Sequence, residues 1–236
     1  MPKIVILSSA LQEIMPFYRH IADLKIGNKK HIEFQQGRFK AHEIILIITG
    51  VGMVNSATIS ALVIEWFQPD LLIFCGLAGG VSANVKMGDV VIATEAAEPE
   101  FLTIYSKFVD TPFEHTLIHP HHQMMQPEWF PSTSFPDISK SHDEYDVHMG
   151  RIVSSDQFPA PKEEYSLLFR EHVLAIDMET AAMYQVGWIT KVPTLAVRGI
   201  SNCLLKDGSD PKMSEANVNE APQRATDVCL DLIEQF

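Results

Sequence analysis

Apolar runs of strand length alternate with longer segments of helical character along most of the chain. The runs Lys3–Ser8 and 43–49 are continuous enough to predict strands buried on both faces. A helical segment over 50–67 separates the second run from another apolar run at 71–80, and this order predicts a parallel crossover unit. Further strands are predicted at 89–96, 150–156, 172–177 and 192–201. A helix is predicted over Leu11–His20.

About seven strands with interleaved helices predict a three-layer α/β fold. The segment 97–147 differs, because Pro, His, Ser and aromatic residues are frequent there and periodicity is weak. We expect it to be a long excursion over the surface, of the kind that often forms a functional lid. Residues 1–236 are otherwise expected to form one domain.

Composition narrows the class of partner. The formal net charge of −12 disfavours binding to phosphate backbones and anionic headgroups, so neither nucleic acid nor a membrane surface is expected as a partner. No apolar run approaches the roughly 18 residues of a membrane span, and the first apolar run is too short for a signal peptide. Three widely spaced cysteines match no zinc or disulfide framework, so we expect a reducing cytoplasm.

Two glycine-rich segments each allow a binding and a structural interpretation. TGVGMVN (49–55) partly matches a dinucleotide fingerprint, but Asn55 replaces the third glycine and Asp70 precedes the next strand, so close helix packing is favoured. GLAGG (76–80) follows a strand and either presents backbone N–H groups to a ligand or forms a tight turn. The sequence leaves these two interpretations of GLAGG open.

Four histidines lie close together in the excursion: His115, His119, His121 and His122. Such a cluster can ligate a transition metal. No nearby acid or cysteine completes a ligand set, so a solvated loop is the favoured interpretation and no metal is expected.

Acidic residues follow two of the predicted strands. Asp177 and Glu179 in AIDMETAAMY lie between a strand and a helix. Asp177 suits the helix N-terminus as a dipole partner, whereas Glu179 among small residues would be costly to bury without a ligand or water. Glu13 follows the first strand, where a solvated helix face is the ordinary interpretation unless several strand ends converge on one crevice.

In this order the motifs resemble the purine nucleoside phosphorylase and hydrolase superfamily, and in particular the methylthioadenosine/S-adenosylhomocysteine nucleosidases. The segments that carry the resemblance are SALQE, TGVGMVNSA, PDLLIFCGLAGGV, KMGDVVIATEA, SSDQF, AIDMETAA and VPTLAVRGISN. The resemblance implies an αβα sandwich around a central mixed, mostly parallel sheet, a homodimer and no cofactor. It is weak over 97–147, where the HD.D.TAFG pattern is missing, so the 5′-substituent pocket does not transfer.

The resemblance also implies roles for individual residues. Cleavage of a purine N-glycosidic bond builds an oxocarbenium-like ribosyl group, so the site must steady a cation and activate water. By motif position, Glu13 resembles the carboxylate that orients and deprotonates water, and Glu179 the residue that binds the ribose hydroxyls. Met178 would pack against the sugar and Phe158 would stack on the purine. Ala78 and Gly79 would lie near the sugar and base.

Asn202 departs from the family pattern, which has an aspartic acid there that delivers a proton to purine N7. An amide donates and accepts hydrogen bonds but is not a general acid near neutral pH. Three interpretations follow: an altered base preference, since an amide can bond O6 of a 6-oxopurine; proton delivery by water or another group; or a binding or storage protein with lost turnover. Ser201 should orient position 202. Leu77 stands where the nucleosidases commonly have Ser, and Asp177 shortens the more usual Glu.

Hydrolysis is favoured over phosphorolysis. Phosphorylases of this superfamily carry a GDPGR-like loop or an equivalent set of Arg and Ser after the first strand, where this chain has SSALQE. Arg198 is either a phosphate ligand or a partner of nearby carboxylates that holds the wall of the site, and the second interpretation is favoured.

Overall fold

The coordinates are a computed structural model that describes residues 1–135, 140–141, 144–157, 168–204 and 215–236. The strands are β1 (Lys3–Ser8), β2 (Ala22–Lys29), β3 (Ile32–Phe39), β4 (His42–Ile48), β5 (Leu71–Gly80), β6 (Val90–Ala97), β7 (Ile118–His119), β8 (Met124–Met125), β9 (Phe130–Pro131), β10 (Lys140–Ser141), β11 (Asp146–Ser154), β12 (Val173–Asp177) and β13 (Thr194–Cys203). The α-helices are α1 (Leu11–Ile14), α2 (Met53–Phe67), α3 (Pro99–Phe108), α4 (Thr180–Thr190) and α5 (Glu215–Ile233).

Eleven strands form one mixed sheet, with the order β10-β11-β6-β13-β5-β1-β4-β3-β2 along its main path. The strands β4, β1, β5 and β13 are joined in parallel, and so are β6, β11 and β12. The antiparallel pair of β6 and β13 joins these two groups, and β3 pairs antiparallel with β4. The mixed sheet is therefore confirmed, but the description "mostly parallel" holds within the two groups and not for the sheet as a whole. The strand β12 pairs with both β11 and β5, so β11, β6, β13, β5 and β12 close into a ring that an open sandwich does not have.

Helices cover both faces of the sheet, because its buried strands are apolar on both sides. In β1, Ile4 and Ile6 pack into a cluster with α1 and α5. The alternate residues Val5 and Leu7 pack on the other face with α2 and α4. This period of two places one helical layer on each side of the sheet.

The predicted strands agree closely with the structure, and two predicted local features do not. The predicted helix over Leu11–His20 is α1 followed by a 3₁₀ helix at Met15–Arg19, because Pro16 cannot donate the backbone hydrogen bond of a continuing α-helix. The glycine-rich end of β5 is not a tight turn but continues the strand to Gly80. In the part of the chain that the structure describes, no helix is both long and apolar enough to cross a membrane.

The excursion contains more regular structure than expected from its weak periodicity. It forms α3, the two-stranded hairpin of β7 and β8, and β9, which pairs with β6. Trp129 and Phe130 are buried, so the segment is anchored on the core by aromatic side chains. Apolar anchors separated by turns carry no helical or strand period, which explains why the sequence pattern missed them.

Candidate active site

A cavity of about 210 Å³ opens where β1, β5, β12 and β13 end. Ligands of open α/β sheets bind at this edge, beyond the carboxyl ends of the strands. Six of the residues expected in the site line the cavity: Ala78, Gly79, Met178, Glu179, Ser201 and Asn202. The other described lining residues are Ser9, Val51, Leu77, Ser155, Gln157, Ile176, Asp177 and Leu204. The sequence predicts no individual role for five of the lining residues, namely Ser9, Val51, Ser155, Ile176 and Leu204.

Glu13 lies on α1, directly behind this lining, and is only 4% exposed. Its Oε2 accepts hydrogen bonds from the Ser9 backbone N–H (2.7 Å), the Ser9 hydroxyl (2.6 Å) and the Ala10 N–H (3.1 Å). Its Oε1 accepts from the Leu77 N–H at 2.9 Å. These donors fix the carboxylate at the junction of β1 and β5, so the solvated-face interpretation of Glu13 is wrong. The GLAGG segment does present an N–H group, but to this carboxylate.

Arg198 is fully buried and gathers the acidic residues of the site. Its Nη2 lies 2.6 Å from Asp177 Oδ2 and 3.5 Å from Glu179 Oε2, and its guanidinium also donates to Thr180 Oγ1. The guanidinium carbon lies 4.3 Å from the centroid of the Phe74 ring. Burial alone lowers the pKa of Arg198, but the nearby carboxylates raise it overall. Arg198 is therefore a partner of carboxylates, as favoured from the sequence.

Gly76 leaves room for both Glu13 and Arg198. A Cβ at this position would lie 2.8 Å from Arg198 Nη1 and 2.9 Å from Glu13 Oε1, which is closer than side-chain carbons approach such atoms. Any other residue would displace one of the two groups. Glu13 and Glu179, far apart in the chain, thus both lie near Arg198, and Glu179 pairs with it.

Asp177 does more than complement a helix dipole. Its carboxylate accepts hydrogen bonds from the hydroxyls of Ser154 and Thr180, in addition to the ion pair with Arg198. The Thr180 N–H also donates to it at 3.3 Å, as expected at the start of α4. Because both oxygens are fully engaged, Asp177 ties β11, α4 and β13 together beneath the cavity.

Glu179 is 3% exposed and its Oε1 accepts a 3.0 Å hydrogen bond from the Gly52 N–H. Burial, together with the nearby Asp177 and Glu13, raises its pKa to about 7 against the opposing effects of Arg198 and the Gly52 N–H. A buried carboxyl group that titrates near neutrality beside a cavity is a typical feature of a functional site.

The partial dinucleotide motif spans the N-terminus of α2. The backbone N–H groups there bind acidic side chains of the same chain. The N–H of Gly52 binds Glu179, and the N–H of Met53 binds Asp156 Oδ1 at 2.7 Å. Gly52 has a φ of 103°, a conformation that favours glycine. These N–H groups are the ones that a pyrophosphate would need, which supports the packing interpretation of the motif.

Asn202 is 3% exposed and lies beside Ser201 at the end of β13. The Ser201 hydroxyl donates to Asn202 Oδ1 at 3.0 Å, so Ser201 orients the amide as expected. A Cβ on Gly79 would lie 3.4 Å from the same oxygen, so Gly79 and the amide are in close contact. Phe158, expected to stack on a purine, lies outside the described residues.

Histidine rings of the cluster pack against one another and against Trp188. His119 lies with its ring centroid 4.8 Å from that of His122 and 5.4 Å from that of Trp188. Among the described residues, the group whose ligand atoms lie close enough together to share a metal ion is a different one, Asp89, Asp146 and His148. Within it, Asp89 Oδ2 is 3.0 Å from His148 Nε2 and Oδ1 accepts from the Asp146 N–H. These contacts explain the group without a metal.

Comparison with known proteins agrees with this geometry. A family model described as the phosphorylase superfamily matches residues 3–234. The 5′-methylthioadenosine/S-adenosylhomocysteine nucleosidase of Maridesulfovibrio salexigens is 26% identical over 245 residues, covering 99% of this chain and all of that protein. The nucleosidase of Colwellia psychrerythraea in complex with adenine has a TM-score of 0.81 and 22% identity, covering 99% of this chain and 95% of that one. That of S. pneumoniae with the transition-state inhibitor MT-ImmA has a TM-score of 0.76 and 26% identity, with 98% of each chain covered. Since the family model spans nearly all of the sequence, the chain belongs to the phosphorylase superfamily.

Proposed function

We propose that this chain is a purine nucleosidase, which hydrolyses the N-glycosidic bond of a nucleoside such as methylthioadenosine, S-adenosylhomocysteine or a 6-oxopurine nucleoside. The observation that carries the proposal is that Glu13 and Glu179, far apart in the chain, are both buried near Arg198 beside a cavity at the strand ends. The nucleosidases named above, similar along their whole length, support the same activity.

In the proposed mechanism the acidic side of the cavity holds the sugar. Glu13 accepts a proton from the attacking water, and its fixed hydrogen bonds orient it for this task. Glu179 accepts hydrogen bonds from the ribose hydroxyls, and Met178 packs against the ring. The carboxylates also favour the oxocarbenium-like transition state, since positive charge develops on the sugar beside them.

Water, not phosphate, is the proposed nucleophile. A phosphate dianion needs cationic or N–H partners. Arg198 is already engaged by Asp177 and Glu179, and the first N–H groups of α2 bind Glu179 and Asp156. In the described part of the site these donors serve internal carboxylates, and an added dianion would meet repulsion from Glu13. Phosphorolysis is therefore the less favoured alternative.

Asn202 bears on base preference. The Asn202 amide lines the cavity beside Ser201, which donates to its oxygen, and an amide NH₂ is a hydrogen-bond donor. An NH₂ donor complements the O6 acceptor of a 6-oxopurine and opposes the amino group of adenine. This favours an altered base preference over proton delivery by water or another group.

A nucleoside-binding or storage protein is the second candidate function, since an amide at position 202 cannot replace the acid of the related pattern. Phe158 remains a proposed stacking partner for the base. We further propose a single domain over 1–236, a homodimer, and a cytoplasmic location.

A chromatographic screen tests the proposal. Adenosine, inosine, guanosine, methylthioadenosine and S-adenosylhomocysteine are incubated with and without phosphate. We expect free base and reducing sugar in phosphate-free buffer. Base release that requires phosphate would establish a phosphorylase, and ligand binding by calorimetry without base release over hours would establish the binding protein.

A further inference from the structure

The base end of the cavity holds an amide where a proton donor would serve a neutral leaving group. We propose that the site acts preferentially on nucleosides whose base already carries a positive charge, with N7-alkylated purine nucleosides as the substrate class. This inference rests on the proposed function, which places the base at Asn202 and the sugar near Glu13 and Glu179.

Charge at the sugar end is the first argument. Three buried carboxylates, those of Glu13, Asp177 and Glu179, lie near the one guanidinium of Arg198, and the last two pair with it. Even with one carboxyl group protonated, this cluster keeps a net negative charge. In a buried site such a charge attracts a cationic ligand more strongly than a neutral one.

Chemistry at the base end is the second argument. Around Asn202 the described lining residues are Ala78, Gly79, Ser201 and Leu204, and none of these carries a group that gives up a proton near neutral pH. The acids that do line the described cavity are Asp177 and Glu179, and both are held by Arg198.

An N7-alkylated substrate removes the need for an acid. When the bond from C1′ to N9 of a neutral purine breaks, its electron pair leaves an anionic base that must be protonated. In an N7-alkylated purine the same electron pair neutralises the imidazolium ring, so the base departs uncharged. The oxygen of water forms the new bond to C1′, Glu13 takes one proton from that water, and this proton passes to solvent.

The test compares kcat/KM for 7-methylguanosine and guanosine at mildly acidic pH, where the methylated base is cationic. We expect 7-methylguanosine to be cleaved at least about 100-fold faster, the lower end of what a missing general acid costs. In Asn202→Asp the restored acid should accelerate guanosine cleavage and bring the ratio down by about tenfold or more. The control Glu13→Gln should slow both substrates alike and leave the ratio unchanged, because water activation is common to both.

Two outcomes would overturn the inference: a ratio below about 10 in the unmodified protein, or a ratio that Asn202→Asp does not lower. Either outcome can occur while neutral nucleosides are still hydrolysed, so the inference can fail while the proposed function stands. The proposed function fails separately if neither the methylated nor the unmethylated nucleosides release base in phosphate-free buffer.

Discussion

The two ends of the cavity differ in how they use charge. At one end, Asp177 and Glu179 pair with Arg198 and Glu13 lies near it. Backbone N–H groups from β5 and from the residue before α2 bind Glu13 and Glu179. At the other end, the Asn202 amide is oriented by the hydroxyl of Ser201. In the proposed reaction, the charged groups thus lie where the ribosyl cation forms, and a neutral group lies where the base leaves.

The difference also separates structural from chemical roles. Asp177 and Arg198 are saturated with partners and hold the wall together, whereas Glu179 keeps a pKa near 7 and so can change its charge in use. Substitution of a charged side chain at the sugar end should therefore strongly reduce catalysis or stability. Substitution at the base end should mainly change which nucleoside is preferred.

Removal of the proposed base at Glu13 should have the largest effect on activity. Glu13→Gln keeps the size of the side chain but removes its ability to take a proton, so we expect kcat to fall by about 10²–10⁴-fold. The matched control is Glu65→Gln on the exposed side of α2, which should leave kcat unchanged. Equal activity of Glu13→Gln and the unmodified protein would contradict the role given to Glu13.

Removal of the central cation should cost the most stability. Arg198→Met leaves Asp177 and Glu179 buried without their partner, and we expect the free energy of unfolding in urea to fall by about 3–5 kcal/mol. The control, Arg38→Met, breaks an ion pair with Asp23 in which both side chains are 62% exposed. It should cost at most about 1 kcal/mol. Similar losses of unfolding free energy in both variants would show that the buried cluster stabilises the protein no more than a surface ion pair does.

Titration of Glu179 should appear as a pH dependence centred near neutrality. Only the ionised carboxylate accepts from both ribose hydroxyls, so kcat/KM should rise with pH through the pKa of about 7. Stability should show the opposite trend: the folded pKa lies above the unfolded value of about 4.5, so this contribution is present below that pH and is lost as pH rises through about 7. Glu179→Gln should abolish both trends, and their persistence in that variant would assign them to another group.

The smallest effect is expected at the orienting hydroxyl. Ser201→Ala removes one hydrogen bond to Asn202 worth about 1 kcal/mol, so kcat/KM should fall by about fivefold. Ser106→Ala on the exposed surface of α3 is the control. A shift in the ratio of guanosine to adenosine cleavage is also expected, because the amide loses one of the contacts that orient it. An unchanged ratio would show that Ser201 does not orient the amide.

Much of the fold could be predicted from the sequence. Lys3–Ser8 was predicted and observed with the same bounds, because a continuous apolar run buried on both faces leaves little choice of structure. The helix α3 was missed although Phe101, Leu102, Tyr105 and Phe108 lie at helical spacing, because the frequent Pro and His residues around it favoured a loop. The ring closed by β12 could not be predicted, since it depends on pairing between strands distant in the chain.

For the site, the chemical type of each residue was visible and its contacts were not. Glu13 and Glu179 were identified by their motifs, but only the structure shows that Glu179 pairs with Arg198 and that Gly76 leaves room for Glu13 nearby. The sequence predicts only a helix-dipole role for Asp177, because a carboxylate at a helix start is common for that reason alone. Its ion pair with Arg198 depends on the pairing by which β12 closes the ring, which no local pattern encodes.

The origin of the oxygen on the released sugar tests the central claim most directly. The chain is incubated with a purine nucleoside in water labelled with heavy oxygen, without phosphate, and the sugar is examined by mass spectrometry. Hydrolysis predicts one labelled oxygen at C1 in the first sugar released, sooner than a control of the same unlabelled sugar acquires the label by exchange of its anomeric oxygen, and loss of this product in Glu13→Gln. Sugar phosphate formed only when phosphate is added, or no cleavage of any nucleoside, would contradict it.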